Sequence, residues 1–157
     1  MSEQKRYEIV VIGGGIAGAS FAYSLGERGV GEVLLLEREE APGYHATGRS
    51  AAVSYRFDID TTMQHMRVQS ARFFNHPPEG FSENRLLVPS GVMLLFCQQT
   101  WPAIPEISRL YEPQGVRIEL MSSVEASERV EVLNPAVFAG AAHMPDDGHL
   151  DVHELLM

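Results

Sequence analysis

Apolar residues near the start of the chain form two short runs separated by a segment with a helical repeat. Tyr7 to Ile12 is rich in β-branched residues with little polar alternation, and Val33 to Leu36 is a second apolar run. This pattern predicts two strands buried on both faces. Ile16 to Arg28 carries apolar residues at a spacing of four, namely Ala17, Phe21 and Leu25, which predicts a helix with these residues on one face. The segment as a whole indicates a βαβ unit with parallel pairing.

A second helix is predicted from Thr62 to Asn75. Asp60 or Thr61 can cap its start, and the two prolines at 77 and 78 stop it. Met63 and Met66 share one side of this helix with other apolar residues. We therefore expect both methionines to lie in the core.

The pattern changes after the prolines. Leu86 to Val88 and Val92 to Phe96 flank a Pro-Ser-Gly sequence, which predicts an antiparallel hairpin with a glycine turn. Ser122 and Glu125 have capping-box spacing, and so do Asp151 and Glu154, so a helix is expected to begin after each pair.

The predicted fold class is α/β, with a Rossmann-like βαβ unit followed by the start of an antiparallel α+β domain. Two parallel strands do not make a stable doubly wound sheet on their own, because the mean sheet has about five or six strands. We therefore expect an incomplete chain, the first part of a longer protein. The predicted division is a first domain at 1–78, a second domain at 79–149, and a return to the first domain at 150–157.

Composition narrows the possible partners. The 157 residues are 45 % hydrophobic and 21 % charged, as in ordinary globular proteins, and no apolar run is long enough to span a bilayer. The formal charge is −9, and the twelve basic residues are scattered, which disfavours nucleic-acid binding and a basic membrane-binding patch. One cysteine, Cys97, can form no internal disulfide. Together with a polar start unlike a secretory signal, it predicts a cytoplasmic protein.

Near the end of the chain, several acidic and histidine residues could suggest a metal site. Their spacing fits neither a calcium loop nor a zinc helix motif. Asp146-Asp147-Gly148 is better explained as a turn, and Asp151 as a helix cap. We expect no metal.

The sequence between the first strand and helix is Gly-Gly-Gly-Ile-Ala-Gly, with the G-x-G-x-x-G pattern at Gly13, Gly15 and Gly18. Gly13 would make the tight turn, Gly15 would let a pyrophosphate approach the backbone, and Gly18 would let helix and strand pack closely. The first N–H groups of the helix would then bind phosphates without basic side chains.

Glu37 ends the second predicted strand 19 residues after Gly18, where an acid accepts hydrogen bonds from an adenosine ribose. Its charge would repel a 2′-phosphate, which disfavours NADP. Arg38 is either a solvated charge or a contact to the adenosine half. These features leave FAD and NAD open.

The loop from Arg38 to Tyr55 is rich in small residues. From Ala46 to Val53, Thr47 and Ser50 offer hydroxyls, while glycine and alanine leave room for the flat approach of an isoalloxazine ring. This loop favours FAD over NAD, although a flexible surface loop would also fit. His45 is expected to be a structural loop residue.

The segments LEREEAPGYHATGRSAA, FFNHPPEGF and HMPDDGHLDVHEL resemble the D-amino-acid oxidase superfamily of FAD-dependent oxidoreductases, and within it the bacterial D-arginine dehydrogenases. The resemblance implies that residues 1–78 and 150–157 belong to an FAD-binding domain, and that the region from Phe81 to Met144, within residues 79–149, is the first part of a substrate domain. It implies oxidation of a small amine, amino acid or 2-hydroxy acid by hydride transfer to FAD. The implied FAD contacts are Gly13, Gly15, Ala17, Gly18, Glu37, Arg38, Ala46, Thr47, Gly48, Arg49, Ser50, Ala51, Ala52 and Val53.

Two positions depart from the D-arginine dehydrogenase pattern. Val53 stands where that group has a histidine, and Val92 where it has the acid that faces the substrate guanidinium. A smaller or neutral substrate is therefore expected. The catalytic residues and the oligomeric state stay open. The alternatives are an NAD-linked dehydrogenase and a truncated dinucleotide-binding chain without turnover, and the 157-residue chain alone is expected to be inactive.

Overall fold

The computed structural model describes residues 5–157. Its strands are β1 (Ile9–Ile12), β2 (Val33–Leu36), β3 (Val53–Ser54), β4 (Leu87–Val88), β5 (Val92–Phe96), β6 (Glu119–Ser122), β7 (Gly140–Met144) and β8 (Gly148–Leu150). Its α-helices are α1 (Ile16–Glu27), α2 (Thr61–Asn75), α3 (Ile104–Arg109), α4 (Ser123–Arg129) and α5 (Val152–Leu156). Short 3₁₀ turns lie at Trp101–Ala103 and Glu112–Gln114. This content confirms the predicted mixed α/β fold class.

The chain forms two compact units. The first runs up to Ala52 and includes Ser82–Asn84 and Asp151–Met157, and the second comprises Val53–Phe81 and Arg85–Leu150. These units reflect packing within this chain. The domain division predicted at 78 and 149 stays a prediction.

In the first unit, β1 and β2 pair in parallel, with Ile9 opposite Val33 and Ile12 opposite Leu36. The predicted βαβ unit is therefore present. The prediction that both faces of these strands are buried was wrong. Val11 is buried beside α1, but Val10 is 51 % and Ile12 is 86 % exposed. Successive strand residues point to opposite faces, and α1 covers only the face that carries Val11.

The predicted apolar face of α1 was also partly wrong. Phe21 is 53 % exposed and Ala17 is exposed, whereas Gly18, Ala22 and Leu25 are half-buried. Gly18, Ala22 and Leu25 follow the i, i+4, i+7 spacing of a helix face, and this face starts at the small residue that allows close approach to the strand; Ala19 and Tyr23 beside it are also half-buried.

The second unit contains two three-stranded antiparallel sheets. Their strand orders are β3-β8-β4 and β5-β7-β6. The predicted hairpin between β4 and β5 was wrong, because β4 pairs with β8 and β5 pairs with β7. Pro89-Ser90-Gly91 instead carries the chain from one sheet to the other. Gly91, at φ +79°, donates its N–H to the carbonyl of Asp147 in the neighbouring turn.

The described apolar core lies mainly in the second unit, around Phe57, Ile104, Tyr111 and Met144. Helix α2 contributes Val68 and Ala71 to its buried face together with Gln64. The prediction that Met63 and Met66 are core residues was wrong, since they are 42 % and 59 % exposed. The cap prediction was right: the Asp60 side chain accepts hydrogen bonds from the N–H groups of Thr62 and Met63.

Candidate functional site

The turn between β1 and α1 has the geometry for which its glycines are needed. Gly13 adopts φ +102°, a conformation that side chains strongly disfavour. A Cβ on Gly18 would lie 1.9 Å from the Gly13 carbonyl oxygen and 3.3 Å from Val11 Cγ1. Only glycine at position 18 lets the helix pack this closely on the end of the strand.

Glu37 follows β2 and closes one side of this turn. Its Oε2 accepts a hydrogen bond of 2.6 Å from the Gly14 N–H. Its Oε1 accepts bonds from the N–H groups of Arg38 (2.7 Å) and Glu39 (3.0 Å). Hydrogen bonds from the Glu39 and Gly14 N–H groups, together with that of Arg38, lower the pKa of Glu37, so the carboxylate is ionised at neutral pH.

The loop after Glu37 is fastened to the same turn. The Gly43 N–H donates to the Gly14 carbonyl over 3.1 Å, and the Gly48 N–H donates back to the Gly43 carbonyl over 2.6 Å. Thr47 Oγ1 accepts a 3.0 Å bond from the Ile16 N–H at the start of α1. The loop that carries the hydroxyls is thus held against the turn that carries the glycines.

Three backbone donors at the start of α1 have no acceptor in the described part of the chain. The N–H groups of Gly15, Ala17 and Gly18 donate to no group among residues 5–157. They stand at the N-terminus of a 12-residue helix, where the dipole carries about half a positive charge. Such donors suit a phosphate oxygen, and an adenosine ribose suits Glu37, so these residues fit a dinucleotide without a basic side chain.

The sequence that forms this site matches the model of a known protein family. The family model for FAD dependent oxidoreductases, DAO, matches residues 8–157. The chain belongs to this family. Its cofactor is FAD, which resolves the choice between FAD and NAD that the glycine pattern left open.

Relatives and solved structures agree with this assignment. The chain is 28 % identical to the mitochondrial pyruvate dehydrogenase phosphatase regulatory subunit of Mus musculus, over 89 % of this chain and 16 % of the relative. It is 29 % identical to the 4-methylaminobutanoate oxidase (formaldehyde-forming) of Paenarthrobacter nicotinovorans, over 90 % of this chain and 17 % of the relative. The crystal structure of L-proline dehydrogenase from P. horikoshii superimposes with a TM-score of 0.74 and 25 % identity, over 97 % of this chain and 40 % of that one. The chain thus spans less than half the length of these proteins.

Other residues of the loop expected to contact FAD lie at its surface. The Arg38 guanidinium is 81 % exposed and pairs with Glu39 at 2.7 Å. His45 Nε2 lies 2.8 Å from the same Glu39 oxygen. Arg49 lies over the ring of Tyr44, with 5.5 Å between its Cζ and the ring centroid. Ala46 and Ala51 are exposed.

The end of the loop is conformationally strained. Ala52 has φ +50° and is the one non-glycine residue at positive φ among those described. Its N–H donates to Ser50 Oγ over 3.1 Å. Val53, the last residue of the predicted flavin loop, begins β3 in the second unit and pairs with His149. The structure therefore groups most of the predicted contacts in the first unit but places Val53 in the second.

Val92 and Asp147 have structural roles in the second unit. Val92 packs against the core that contains Phe57, so an acid there would enter apolar surroundings. Asp147 is 2 % exposed, and its Oδ1 accepts a 2.5 Å bond from Arg56 Nε. In residues 5–157 no three acidic, histidine or cysteine side chains come together as metal ligands would.

The sequence interpretation overlooked Gly14 and Gly43. Gly14 joins the turn both to Glu37 and to Gly43, and a Cβ on Gly14 would lie 3.1 Å from Glu37 Oε2. The signal that could have found Gly43 is the Pro-Gly pair before the loop, since Gly43 adopts φ +71°.

Among residues 5–157 no helix is both long and apolar enough to cross a bilayer.

Proposed function

We propose that this protein is an FAD-dependent oxidoreductase that oxidises a small amine, an amino acid or a 2-hydroxy acid. The observation that carries the proposal is the joined glycine turn, Glu37 and loop, with the Gly15 and Ala17 N–H groups left for an acceptor. The family membership of the chain supports the same class of reaction.

The proposed roles of the residues follow from these contacts. The turn would bind the pyrophosphate through backbone N–H groups, and Glu37 would accept hydrogen bonds from the adenosine ribose. The loop would line the flavin half. The full set proposed to contact FAD is Gly13, Gly15, Ala17, Gly18, Glu37, Arg38, Ala46, Thr47, Gly48, Arg49, Ser50, Ala51, Ala52 and Val53. When bound, FAD supplies the electron acceptor for oxidation at a carbon that bears nitrogen or oxygen.

The substrate class rests on two supports. The names of the 4-methylaminobutanoate oxidase and the L-proline dehydrogenase both indicate amine or amino-acid substrates for those proteins. In this chain Val53 and Val92 provide no charge for a cationic side chain, and Val92 lies against an apolar core. We therefore infer a small or neutral substrate.

The composition of the chain supports a proposal for the cellular compartment and for the kind of substrate. The single cysteine supports a reducing compartment such as the cytoplasm. The net charge of −9 supports a small-molecule substrate rather than a nucleic acid. We also retain the proposal that residues 1–78 and 150–157 belong to an FAD-binding domain and residues 79–149 to a substrate domain.

An absorption spectrum of the purified full-length protein tests the function, because the 157-residue chain alone is expected to be inactive. We expect flavin bands, and bleaching of those bands when an amine or amino-acid substrate is added without oxygen. A colourless protein that cannot be reconstituted with FAD would refute the proposal. Retained flavin that no amine, amino acid or hydroxy acid bleaches would refute the reaction but not the cofactor.

A second candidate is a dinucleotide-binding protein without turnover. It is favoured by the similarity to a mammalian protein described as a regulatory subunit rather than as an oxidoreductase. This candidate predicts FAD binding with no substrate-dependent bleaching, so the same spectra distinguish the two.

A further inference from the structure

A partly open cavity of about 260 Å³, lined by both polar and apolar residues, lies within the second unit. Its polar lining consists of Arg56, Arg72, Asn75, His76, Gln114 and Asp146. A water molecule occupies about 30 Å³, and pockets for drug-sized ligands begin near 300 Å³. The cavity therefore has room for several waters or one small organic molecule.

Arg56 is the buried cation of this cavity. Its side chain is 14 % exposed, and Nε donates to Asp147. Neither Nη1 nor Nη2 has a hydrogen-bond acceptor within residues 5–157, and Nη2 is wholly buried. Because Nη2 has no accessible surface, a molecule in the cavity cannot reach it, and Nη1 is the Arg56 donor left for such a molecule.

The charges around the cavity leave one cation uncompensated. Asp147 already balances Arg56, and Asp146 lies 3.9 Å from Arg117. Arg72 is exposed to solvent and has no ion pair in the part of the chain that the structure describes. The helix dipole places about half a negative charge at the C-terminal end of α2, which offsets only part of the positive charge of Arg72.

We propose that this cavity binds a small carboxylate, held by the guanidinium groups of Arg56 and Arg72. A planar carboxylate accepts two parallel hydrogen bonds from a guanidinium fork. Its single negative charge matches the single uncompensated cation, whereas a phosphate dianion would bring excess charge beside Asp146. The proposal does not depend on the FAD-dependent reaction, because every residue that carries it lies in the second unit.

Titration with acetate at constant ionic strength, with chloride replacing acetate in the control, tests the site by ¹⁵N NMR of the arginine side chains. We expect a saturable shift of the Arg56 and Arg72 resonances. Arg72→Gln should weaken acetate binding about tenfold or more, since a charge-assisted hydrogen bond is lost. Arg72→Lys, which keeps the charge but not the fork, should fall between.

The matched control is Arg109→Gln, because Arg109 is an exposed arginine on α3 that does not line the cavity. It should bind acetate as the wild type does. Absence of a saturable shift would mean that water alone satisfies Arg56, and it would overturn the proposal. Equal weakening in Arg109→Gln, or tighter binding of phosphate than of acetate, would overturn it as well.

Discussion

Replacing Gly18 by alanine tests the close packing on which the nucleotide turn depends. The added Cβ would lie 1.9 Å from the Gly13 carbonyl oxygen, whereas carbon and oxygen in close contact stay about 3.3–3.6 Å apart. The helix and the turn must therefore separate by roughly 1.4 Å or more. Overpacking of this kind costs about 1–3 kcal/mol of unfolding free energy. The same shift displaces the Gly15 and Ala17 N–H groups, so FAD affinity should fall too.

Gly26→Ala is the matched control, because Gly26 lies in the same helix and its Cβ would meet nothing within 4 Å. Both variants gain about 1 kcal/mol of helix propensity, which cancels in the comparison. Urea denaturation should therefore place Gly18→Ala about 1–3 kcal/mol below Gly26→Ala. FAD titration should show weaker binding only for Gly18→Ala. Equal stability and equal FAD affinity in the two variants would refute this reasoning.

Three further substitutions test other parts of the structure. Glu37→Gln should weaken FAD binding, because the ribose loses a charged acceptor. In the wild type the pKa of Glu37 is lowered, so the carboxylate is lost only as pH falls through that lowered pKa, and an acid titration of FAD binding should be flatter in the variant. Asp147→Asn leaves Arg56 buried without its counter-charge and should lower the free energy of unfolding, measured by urea denaturation, by about 3–5 kcal/mol. Asp146→Asn, at the exposed neighbouring residue, should lower it by about 0.5 kcal/mol or less. Equal losses in the two variants would contradict a stabilising role of the Arg56–Asp147 pair. Tyr111→Phe removes a buried hydroxyl that accepts a hydrogen bond from the Asp58 N–H and donates one to the Asp58 carbonyl. The free energy of unfolding should fall by about 1–3 kcal/mol, which a lower Tm in thermal unfolding would show. An unchanged Tm would contradict this stabilising role of the hydroxyl.

The nucleotide turn could be predicted from sequence because its signals are local. Three glycines at fixed spacing determine where the chain turns and where the helix approaches the strand, and both features appear at Gly13 and Gly18. The caps are local too. Ser122 and Glu125 form the predicted reciprocal capping box. Asp151 caps α5, but the Glu154 side chain bonds Asn84 rather than completing a box.

The errors arose where distant residues decide the outcome. β4 and β5 are neighbours in sequence, yet each pairs with a strand more than forty residues away, which a turn sequence does not encode. Helix α2 has apolar residues on more than one side, and contacts with the core bury Val68 and Ala71 rather than Met63 and Met66. The Arg56–Asp147 pair spans 91 positions, so no local pattern announces it.

The central claim is that the glycine turn and the loop fastened to it bind FAD. Isothermal titration of the purified protein, stripped of any bound cofactor, with FAD and separately with NAD tests it most directly. We predict saturable binding of one FAD per chain, with NAD binding far more weakly or not at all. Tighter binding of NAD than of FAD, or no binding of FAD, would contradict the claim.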